Sequence, residues 1–94
     1  MAFLLCHLKV EDYTKWRQFF EGHSDLRQSV GSKGAHIFQS ASDPNDVWLT
    51  LTFESQDSAK AMMANEEVKK AIRESGIVGE LEVYPIEDAG RTPA

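Results

Sequence analysis

The chain is 94 residues long, with 41% hydrophobic and 27% charged residues and a formal net charge of −5. This length and composition are typical of one globular domain with a modest core, and no apolar run approaches the ~18 residues that a membrane span needs. The ten Lys and Arg residues are scattered, whereas a nucleic-acid-binding surface needs clustered basic residues. We therefore expect neither a membrane nor a nucleic acid among its partners.

The first residues and the single cysteine bear on the cellular compartment. Residues 1–9 lack the basic region and the small-residue cleavage site of a signal peptide. Cys6 is the only cysteine, which excludes an internal disulfide and any cysteine-based zinc cluster. A cytoplasmic location is the expectation that follows.

The first third of the chain has a strand pattern followed by a helix pattern. Phe3 to Lys9 is apolar on both sides of a two-residue repeat, which predicts a strand covered on both faces. Asp12 is a favourable N-cap for a helix whose apolar residues recur at three- and four-residue steps up to Val30. Gly31 suits its C′ position. Gly22 interrupts the pattern, and Ser24 or Asp25 can cap a restart; we expect one helix, in which a bend at this point stays open.

Two strands joined by a tight turn follow. Ala35 to Ala41 is the second predicted strand, and Asp43-Pro44-Asn45-Asp46 supplies a turn with proline at its second position. Val47 to Glu54 alternates aliphatic or Phe residues with Trp and Thr, so both of its sides can be buried. It is predicted to be a central strand.

The last third contains helical segments and a final strand. Ser55 can cap a second helix, and Asn65 can cap a further segment that ends at Gly76. In this interpretation 77–79 is a connector. Leu81 to Glu87 is the last strand, and residues beyond it have no pattern.

These elements occur in the order strand, helix, strand, strand, helix, strand. The usual packing of this order is a ferredoxin-like α+β fold, with a four-stranded antiparallel sheet in the order 4-1-3-2 and both helices on one face. The fourth strand is then an edge, in agreement with Pro85, which cannot donate a ladder hydrogen bond. We expect one domain over residues 1–88 and a loose tail over residues 89–94.

Helices on one face leave the other face of the sheet uncovered. The two-residue alternation of the strands predicts five apolar residues on the uncovered face, which are Leu4, Cys6, Leu8, Ile37 and Trp48. An exposed apolar patch of this kind is larger than monomers usually tolerate. We therefore expect a homodimer joined sheet to sheet. Strand propensity does not set the relative phases of the strands, so this division between faces rests partly on the resemblance described next.

The chain resembles the dimeric α/β-barrel superfamily, of the antibiotic-biosynthesis-monooxygenase-like and small cyclase-like kind. The similarity covers Phe3 to about Glu87. The stretches that carry it are Asp12-Tyr13-Thr14-Lys15-Trp16, Asp43-Pro44-Asn45-Asp46-Val47, Phe53-Glu54-Ser55 and Gly76-Ile77-Val78-Gly79. These stretches specify the fold well and the chemistry poorly.

The resemblance implies a homodimer that binds a small aromatic or apolar ligand between its helices and its sheet. Such proteins include cofactor-free oxygenases of polyketide quinols, haem-degrading oxygenases, lactone isomerases and polyketide cyclases. The haem-degrading pattern has Asn, Trp and His at the positions that His7, Phe53 and Ile72 occupy here. We therefore predict neither haem degradation nor a cofactor, although haem bound through another histidine stays open.

The resemblance also implies which residues form the pocket wall. The predicted substrate-binding residues are Trp16, Phe20, His23, Phe38, Leu51 and Phe53. The aromatic members can stack on an aromatic ligand, but at this spacing they also suit an ordinary core. Arg17 and Arg27 are either anchors for an anionic ligand or parts of a solvated helix flank.

Three histidines, His7, His23 and His36, are placed in the same pocket by the resemblance. Neutral histidine can take a phenolic or α-carbonyl proton near neutral pH. His7, assisted by His36, is therefore the predicted catalytic pair, leading to oxidation by O2 or to cyclisation or isomerisation. The alternative for each histidine is a partly buried ring bonded to a backbone carbonyl. No helical His-x-x-x-His pair is present, and no metal site is predicted.

A non-catalytic function is the rival hypothesis. The protein is then a ligand-binding module, or a dimeric scaffold whose pocket is filled by its own aromatic side chains. A solvent-free pocket with its imidazoles bonded to the backbone favours this rival. An open cavity with a free imidazole nitrogen favours an enzyme.

Overall fold

A computed structural model describes all 94 residues. Its strands are β1 (Ala2–Val10), β2 (Gly34–Gln39), β3 (Asp46–Phe53) and β4 (Ile77–Glu87), and its helices are α1 (Tyr13–Gly22), α2 (Ser24–Ser29), α3 (Gln56–Ala64) and α4 (Glu66–Glu74). The strands form one antiparallel sheet in the order β2-β3-β1-β4. This is the predicted order read from the opposite edge, so the ferredoxin-like α+β prediction is confirmed.

Three helices, α1, α3 and α4, begin at the residues that the sequence indicated, and α2 and α4 end as it indicated. Asp12 Oδ1 accepts a hydrogen bond from a first-turn backbone N–H at 3.1 Å, and Ser55 and Asn65 cap α3 and α4 in the same way. Gly31 and Gly76 follow α2 and α4 with φ angles of 105° and 85°. Glycine is favoured at this C′ position because it has no side chain to clash in the left-handed region.

The predicted single helix is in fact two helices. α1 ends at Gly22, and α2 restarts at Ser24 with His23 between them. Gly22 weakens the helix at this point, and the backbone N–H of His23 turns back to the carbonyl of Phe20 at 3.2 Å. Both helices pack on the core, α1 through Trp16 and Phe20 and α2 through Leu26.

The segment 77–79 is also different from its prediction as a connector, because it is the first part of β4. Ile77 pairs with Val10 at the end of β1, and the register shifts between the pairings of His7 and Lys9. Gly79 has a φ of 78° within this irregular part of the strand. Pairing along the full length of β1 satisfies the backbone groups of both strands, which outweighs the weak local pattern.

The antiparallel register decides which residues share a face of the sheet. The helix-covered face carries the directly opposed pairs Leu4–Leu51, Cys6–Leu49 and Leu8–Val47, all buried. The helix-free face carries the intervening pairs Phe3–Thr52, Leu5–Thr50 and His7–Trp48. The predicted placement of Leu4, Cys6 and Leu8 on the uncovered face is therefore wrong. Both sides of β1 are apolar, so only its pairing with β3 shows which of its side chains face the helices.

The faces of the sheet on which the β2 side chains lie were also predicted incorrectly, whereas those of the β3 side chains were predicted correctly. Ile37 lies opposite Leu49 on the helix-covered face, and Phe38 lies opposite Trp48 on the helix-free face. The side chains of β2 are mostly exposed, and β2 is an edge strand of the sheet. Trp48 lies on the uncovered face, as the sequence indicated.

The hydrophobic core lies between the helix-covered face and the helices. Its 13 buried residues come from β1, β3 and the helices, and Phe53 and Val47 are completely inaccessible to solvent. Residues 88–94 belong to no helix or strand. None of the helices is long and apolar enough to span a bilayer.

Candidate functional site

An apolar cavity of about 90 Å³ lies between the helix-covered face and the helices, partly open to solvent. Fifteen of its 18 lining residues are hydrophobic, and its floor is Cys6, Leu8, Leu49 and Leu51. Pockets for drug-sized ligands usually measure about 300–1,000 Å³. The cavity therefore has room for a small apolar group, and a larger ligand requires the helices to move outward.

Four of the six predicted substrate-binding residues line this cavity. Trp16, Phe20, His23 and Leu51 are all in its wall. Phe53 is absent from the wall because it is packed into the core next to it, with no exposed surface. Phe38 lies on the helix-free face and is 48% exposed, so its predicted place in the pocket is wrong. A role of any of these residues in binding stays a prediction.

The part of the wall that α4 contributes was not predicted from the sequence. Val68, Ala71 and Ile72 line the cavity from this helix, and Ser75 follows at its end. Their spacing of three and four residues is the signal that could have revealed them, because residues so spaced share one face of a helix. The other face of α4 is charged, which makes its amphipathic character clear from the sequence.

His23 is the only histidine at the cavity. Its Nδ1 lies 2.8 Å from the carbonyl oxygen of Phe19, and its ring stacks on the Phe19 ring at 4.1 Å between centroids. A carbonyl only accepts hydrogen bonds, so Nδ1 carries the hydrogen. In the neutral ring Nε2 therefore keeps a lone pair, and no side chain or backbone group bonds to it.

Arg27 is the one charged residue in the wall of the cavity. Its Nη1 donates to the carbonyl oxygen of Phe20 at 2.6 Å, and its guanidinium carbon lies 3.6 Å from the centroid of the Phe20 ring. Burial lowers the pKa of this guanidinium from its usual value, because the charged form loses hydration. The cation–π contact offsets part of that loss.

The floor of the cavity also contains the single cysteine. Cys6 is buried on the helix-covered face, which corrects its predicted place at a dimer interface. Burial raises the pKa of the Cys6 thiol to about 12. The side chain is therefore a neutral, apolar part of the floor.

His7 lies on the opposite face of the sheet, away from the cavity. Its Nε2 is 2.6 Å from Asp46 Oδ1, its Nδ1 is 2.7 Å from Glu82 Oε1, and its ring stacks on Trp48 at 3.9 Å. Tyr84 donates its hydroxyl to the second oxygen of Glu82 at 2.7 Å. We call His7, Asp46 and Glu82 the ionic cluster of the helix-free face.

The ionic cluster favours the charged form of the His7 imidazole. Carboxylates accept hydrogen bonds, and only the doubly protonated imidazolium donates from both ring nitrogens at once. The hydrogen bond to Glu82 raises the pKa of His7, Asp46 adds to the effect, and partial burial opposes it. Hydrogen bonds from Tyr84 and His7 lower the pKa of Glu82. The imidazolium has no lone pair with which to accept a proton.

His36, the predicted partner of His7, is exposed at the edge of the same face. It lies opposite Thr50 on β2, and its ring stacks on Phe38 at 4.1 Å between centroids. β3 separates it from His7. The expectation that all three histidines share one cavity is therefore wrong, and the catalytic role of His7 and His36 stays a prediction.

Apolar side chains dominate the rest of the helix-free face. Its large hydrophobic members, half-buried or exposed, are Phe3, Leu5, Phe38, Trp48, Val78, Tyr84 and Ile86. They replace four members of the patch predicted from the sequence. No group of three or more His, Cys, Asp or Glu side chains, on this face or elsewhere, is arranged to hold a metal ion.

Solved structures with the same fold clarify what kind of protein this chain is similar to. A mutant of SnoaB, a cofactor-independent oxygenase from Streptomyces nogalater, matches with a TM-score of 0.79 and 8% identity over 99% of this chain and 97% of its own. A crystal structure of an antibiotic biosynthesis monooxygenase matches with a TM-score of 0.73 and 7% identity over 96% and 100% of the two chains. Rv0793 from Mycobacterium tuberculosis matches with a TM-score of 0.71 and 8% identity over 98% of this chain and 98% of its own.

These matches concern the fold rather than the sequence. Neither a protein-family model nor a curated protein matches the sequence. The chain has the fold of the antibiotic-biosynthesis-monooxygenase-like proteins over at least 96% of its length. The fold that the resemblance implied is thereby confirmed.

Proposed function

We propose that this protein is a homodimer that binds a small, planar, apolar ligand, in the leading case an aromatic one, in the cavity between the helices and the sheet. The observation that carries the proposal is the cavity itself, because protein interiors are otherwise closely packed. The shared fold with SnoaB, a cofactor-independent oxygenase, supports it. A cytoplasmic location, the absence of a cofactor and a domain over residues 1–88 are parts of the same proposal.

The helix-free face supports the homodimer. Four large hydrophobic residues on this face, Phe38, Trp48, Tyr84 and Ile86, are between 37% and 48% exposed. Packing two such sheets face to face buries them at a spacing that sheet-on-sheet contacts commonly adopt. The second copy also covers the ionic cluster, in which each nitrogen of His7 already has an acceptor.

The catalytic form of the proposal is cofactor-free proton abstraction from the bound ligand. We assign the proton acceptor to His23, since it is the histidine that lines the cavity and its neutral ring keeps a lone pair on Nε2. Removal of a phenolic or α-carbonyl proton makes the ligand anionic and electron-rich. The anion then reacts with O2, cyclises or isomerises.

The small volume of the cavity favours a second candidate function. In a scaffold protein the surrounding side chains fill the space and no ligand binds. Trp16 and Phe20 already stack on each other at 5.0 Å between ring centroids inside this wall. The two functions differ in a single measurable property, which is whether the cavity accepts an added ring.

The test of binding uses p-cresol, a neutral single-ring probe, and the methyl groups of methionine as reporters. Met62 and Met63 line the cavity, and Met1 does not. We expect p-cresol to shift the methyl NMR signals of Met62 and Met63 without moving that of Met1, because an aromatic ring in the cavity changes the local magnetic field.

A substitution that fills the cavity supplies the matched control for this test. Ala71→Leu adds apolar volume inside the wall, whereas Ala61→Leu adds the same volume at an exposed position of α3. We expect Ala71→Leu to abolish the p-cresol shifts and Ala61→Leu to retain them. Shifts that are absent in the wild type, or equal in both variants, contradict binding in the cavity and favour the scaffold.

The catalytic form has its own test. With an aromatic quinol as the probe, we expect oxygen consumption that His23→Gln abolishes and His7→Gln retains. The opposite result would restore the prediction made from the sequence for His7. Consumption that neither substitution changes argues against both assignments.

A further inference from the structure

Arg27 lacks a charged partner, although it is half-buried at the wall of the cavity. Six ion pairs occur in the chain, and Arg27 takes part in none of them. Its guanidinium has five N–H donors, and the one acceptor that they reach is the carbonyl oxygen of Phe20. A charge that loses hydration without gaining an opposite charge destabilises the folded state.

Arg17 on the neighbouring helix shows what a fully partnered guanidinium looks like in this protein. Its Nε donates to Glu21 at 2.6 Å, and its Nη1 donates to the hydroxyl of Tyr13 at 2.9 Å. Arg17 is well exposed, so its pairing contributes little to stability. Arg17, which is exposed to solvent, thus has an acidic partner, whereas the half-buried Arg27 has none.

The position of Arg27 relative to the apolar floor indicates what the missing partner is. The floor of the cavity contains aliphatic side chains and the neutral thiol of Cys6. A planar guanidinium recognises a carboxylate through two parallel hydrogen bonds. No other cation lines the cavity, so Arg27 alone can recognise an acidic group there.

We infer that the ligand of this cavity is a small aromatic carboxylic acid, whose ring occupies the apolar space and whose carboxylate binds Arg27. The inference rests on the proposed ligand-binding function and adds the chemical class of the ligand. Glu21 is the acidic residue in the last turn of α1. It does not compete for Arg27, because its carboxylate is paired with Arg17.

The experiment compares two probes that differ in charge alone. 4-Methylbenzoate and 4-methylbenzamide have the same ring and nearly the same shape. Their dissociation constants are measured by the Met62 and Met63 methyl shifts for the wild type, Arg27→Gln and Arg17→Gln. Both variants lose one positive charge, so the Arg17 variant controls for the change in net charge.

We expect the wild type to bind the acid about tenfold more tightly than the amide, the size of one hydrogen bond to a charged group. The ratio is expected to fall to one or below in Arg27→Gln and to persist in Arg17→Gln. Because both probes bind the same variant, any effect of the substitution on the shape of the cavity cancels in the ratio. Arg27→Lys, which retains the charge without the planar fork, is expected to give an intermediate ratio.

Each other outcome decides against a particular statement. Equal affinities for acid and amide in the wild type overturn the inference and leave the proposed function in place. A preference for the acid that persists in Arg27→Gln also overturns it. If neither the acid nor the amide binds, both the inference and the proposed function are overturned. The melting temperature of each variant, compared with the wild type, confirms that the variant is folded.

Discussion

The helix-covered and helix-free faces of the sheet are built from alternate residues of the same strands, yet their chemistry differs. On the helix-covered face, Leu4, Leu49 and Leu51 present only apolar groups, and the polar groups nearby belong to the helices. On the helix-free face, the strands themselves carry aromatic rings and the ionic cluster. The helices therefore control what polar chemistry the cavity can offer, whereas the strands control the chemistry of the open face.

This difference also separates two kinds of tolerance to change. Side chains on the helix-covered face are closely surrounded, so a substitution there changes the free energy of unfolding of the single chain. Side chains on the helix-free face retain solvent contact, so a substitution there changes mainly what the face binds. Three predictions test this separation.

The largest effect is expected in the core, where Phe53 has no exposed surface. Phe53→Ala removes a buried ring, and we expect a loss of about 3–5 kcal/mol in the free energy of unfolding. Phe38→Ala makes the same change on the helix-free face and is expected to cost less than about 1 kcal/mol in the monomer. Denaturant unfolding at low protein concentration measures both values. Similar losses for both variants would mean that the two faces do not differ in packing.

The second effect concerns association through the helix-free face. Trp48→Glu places a charge at the centre of the proposed dimer interface, and we expect the dimer dissociation constant to rise by at least about 100-fold, because a buried unpaired charge is strongly unfavourable. Sedimentation equilibrium measures this constant. Ala61→Glu introduces the same charge on the exposed side of α3 and serves as the control. A monomeric wild type, or equal effects of the two variants, would contradict the assigned interface.

The smallest effect is the pH dependence that the ionic cluster contributes. The pKa of His7 is higher in the folded protein than its ordinary value of about 6.5. Its contribution to stability is therefore fully present below the unfolded pKa and is lost as pH rises through the folded pKa. We expect wild-type stability to decrease more steeply than that of His7→Gln as the pH rises above about 6.5.

His36→Gln is the control for this pH dependence, because it also removes an imidazole but His36 takes part in no ion pair. An NMR titration of the His7 ring gives its folded pKa directly. A folded pKa at or below the ordinary value would contradict the doubly protonated state. The lowered pKa of Glu82 acts in the opposite direction, since its contribution is lost as pH falls through the folded pKa.

Much of the fold could be predicted because local chemistry determines it. Asp12, Ser55 and Asn65 are good N-caps wherever the chain places them, and Gly31 and Gly76 can adopt the left-handed C′ conformation. The order of elements then restricts the sheet to few topologies. The lining of the cavity was predicted in part, through Trp16, Phe20, His23 and Leu51, because the resemblance to the dimeric α/β-barrel proteins implied a pocket between the helices and the sheet.

The sequence by itself determined the order of the elements, the first residues of α1, α3 and α4, and the alternation of β3, where Leu49 and Leu51 alternate with the more polar Thr50 and Thr52. Only the tertiary structure decided the phases of β1 and β2, and with them the faces on which His7 and His36 lie. The physical reason is the two-residue period of a strand, since a shift of one residue exchanges its faces at no cost to the local pattern when both faces are apolar. Pairing with β3 and packing under the helices remove that ambiguity.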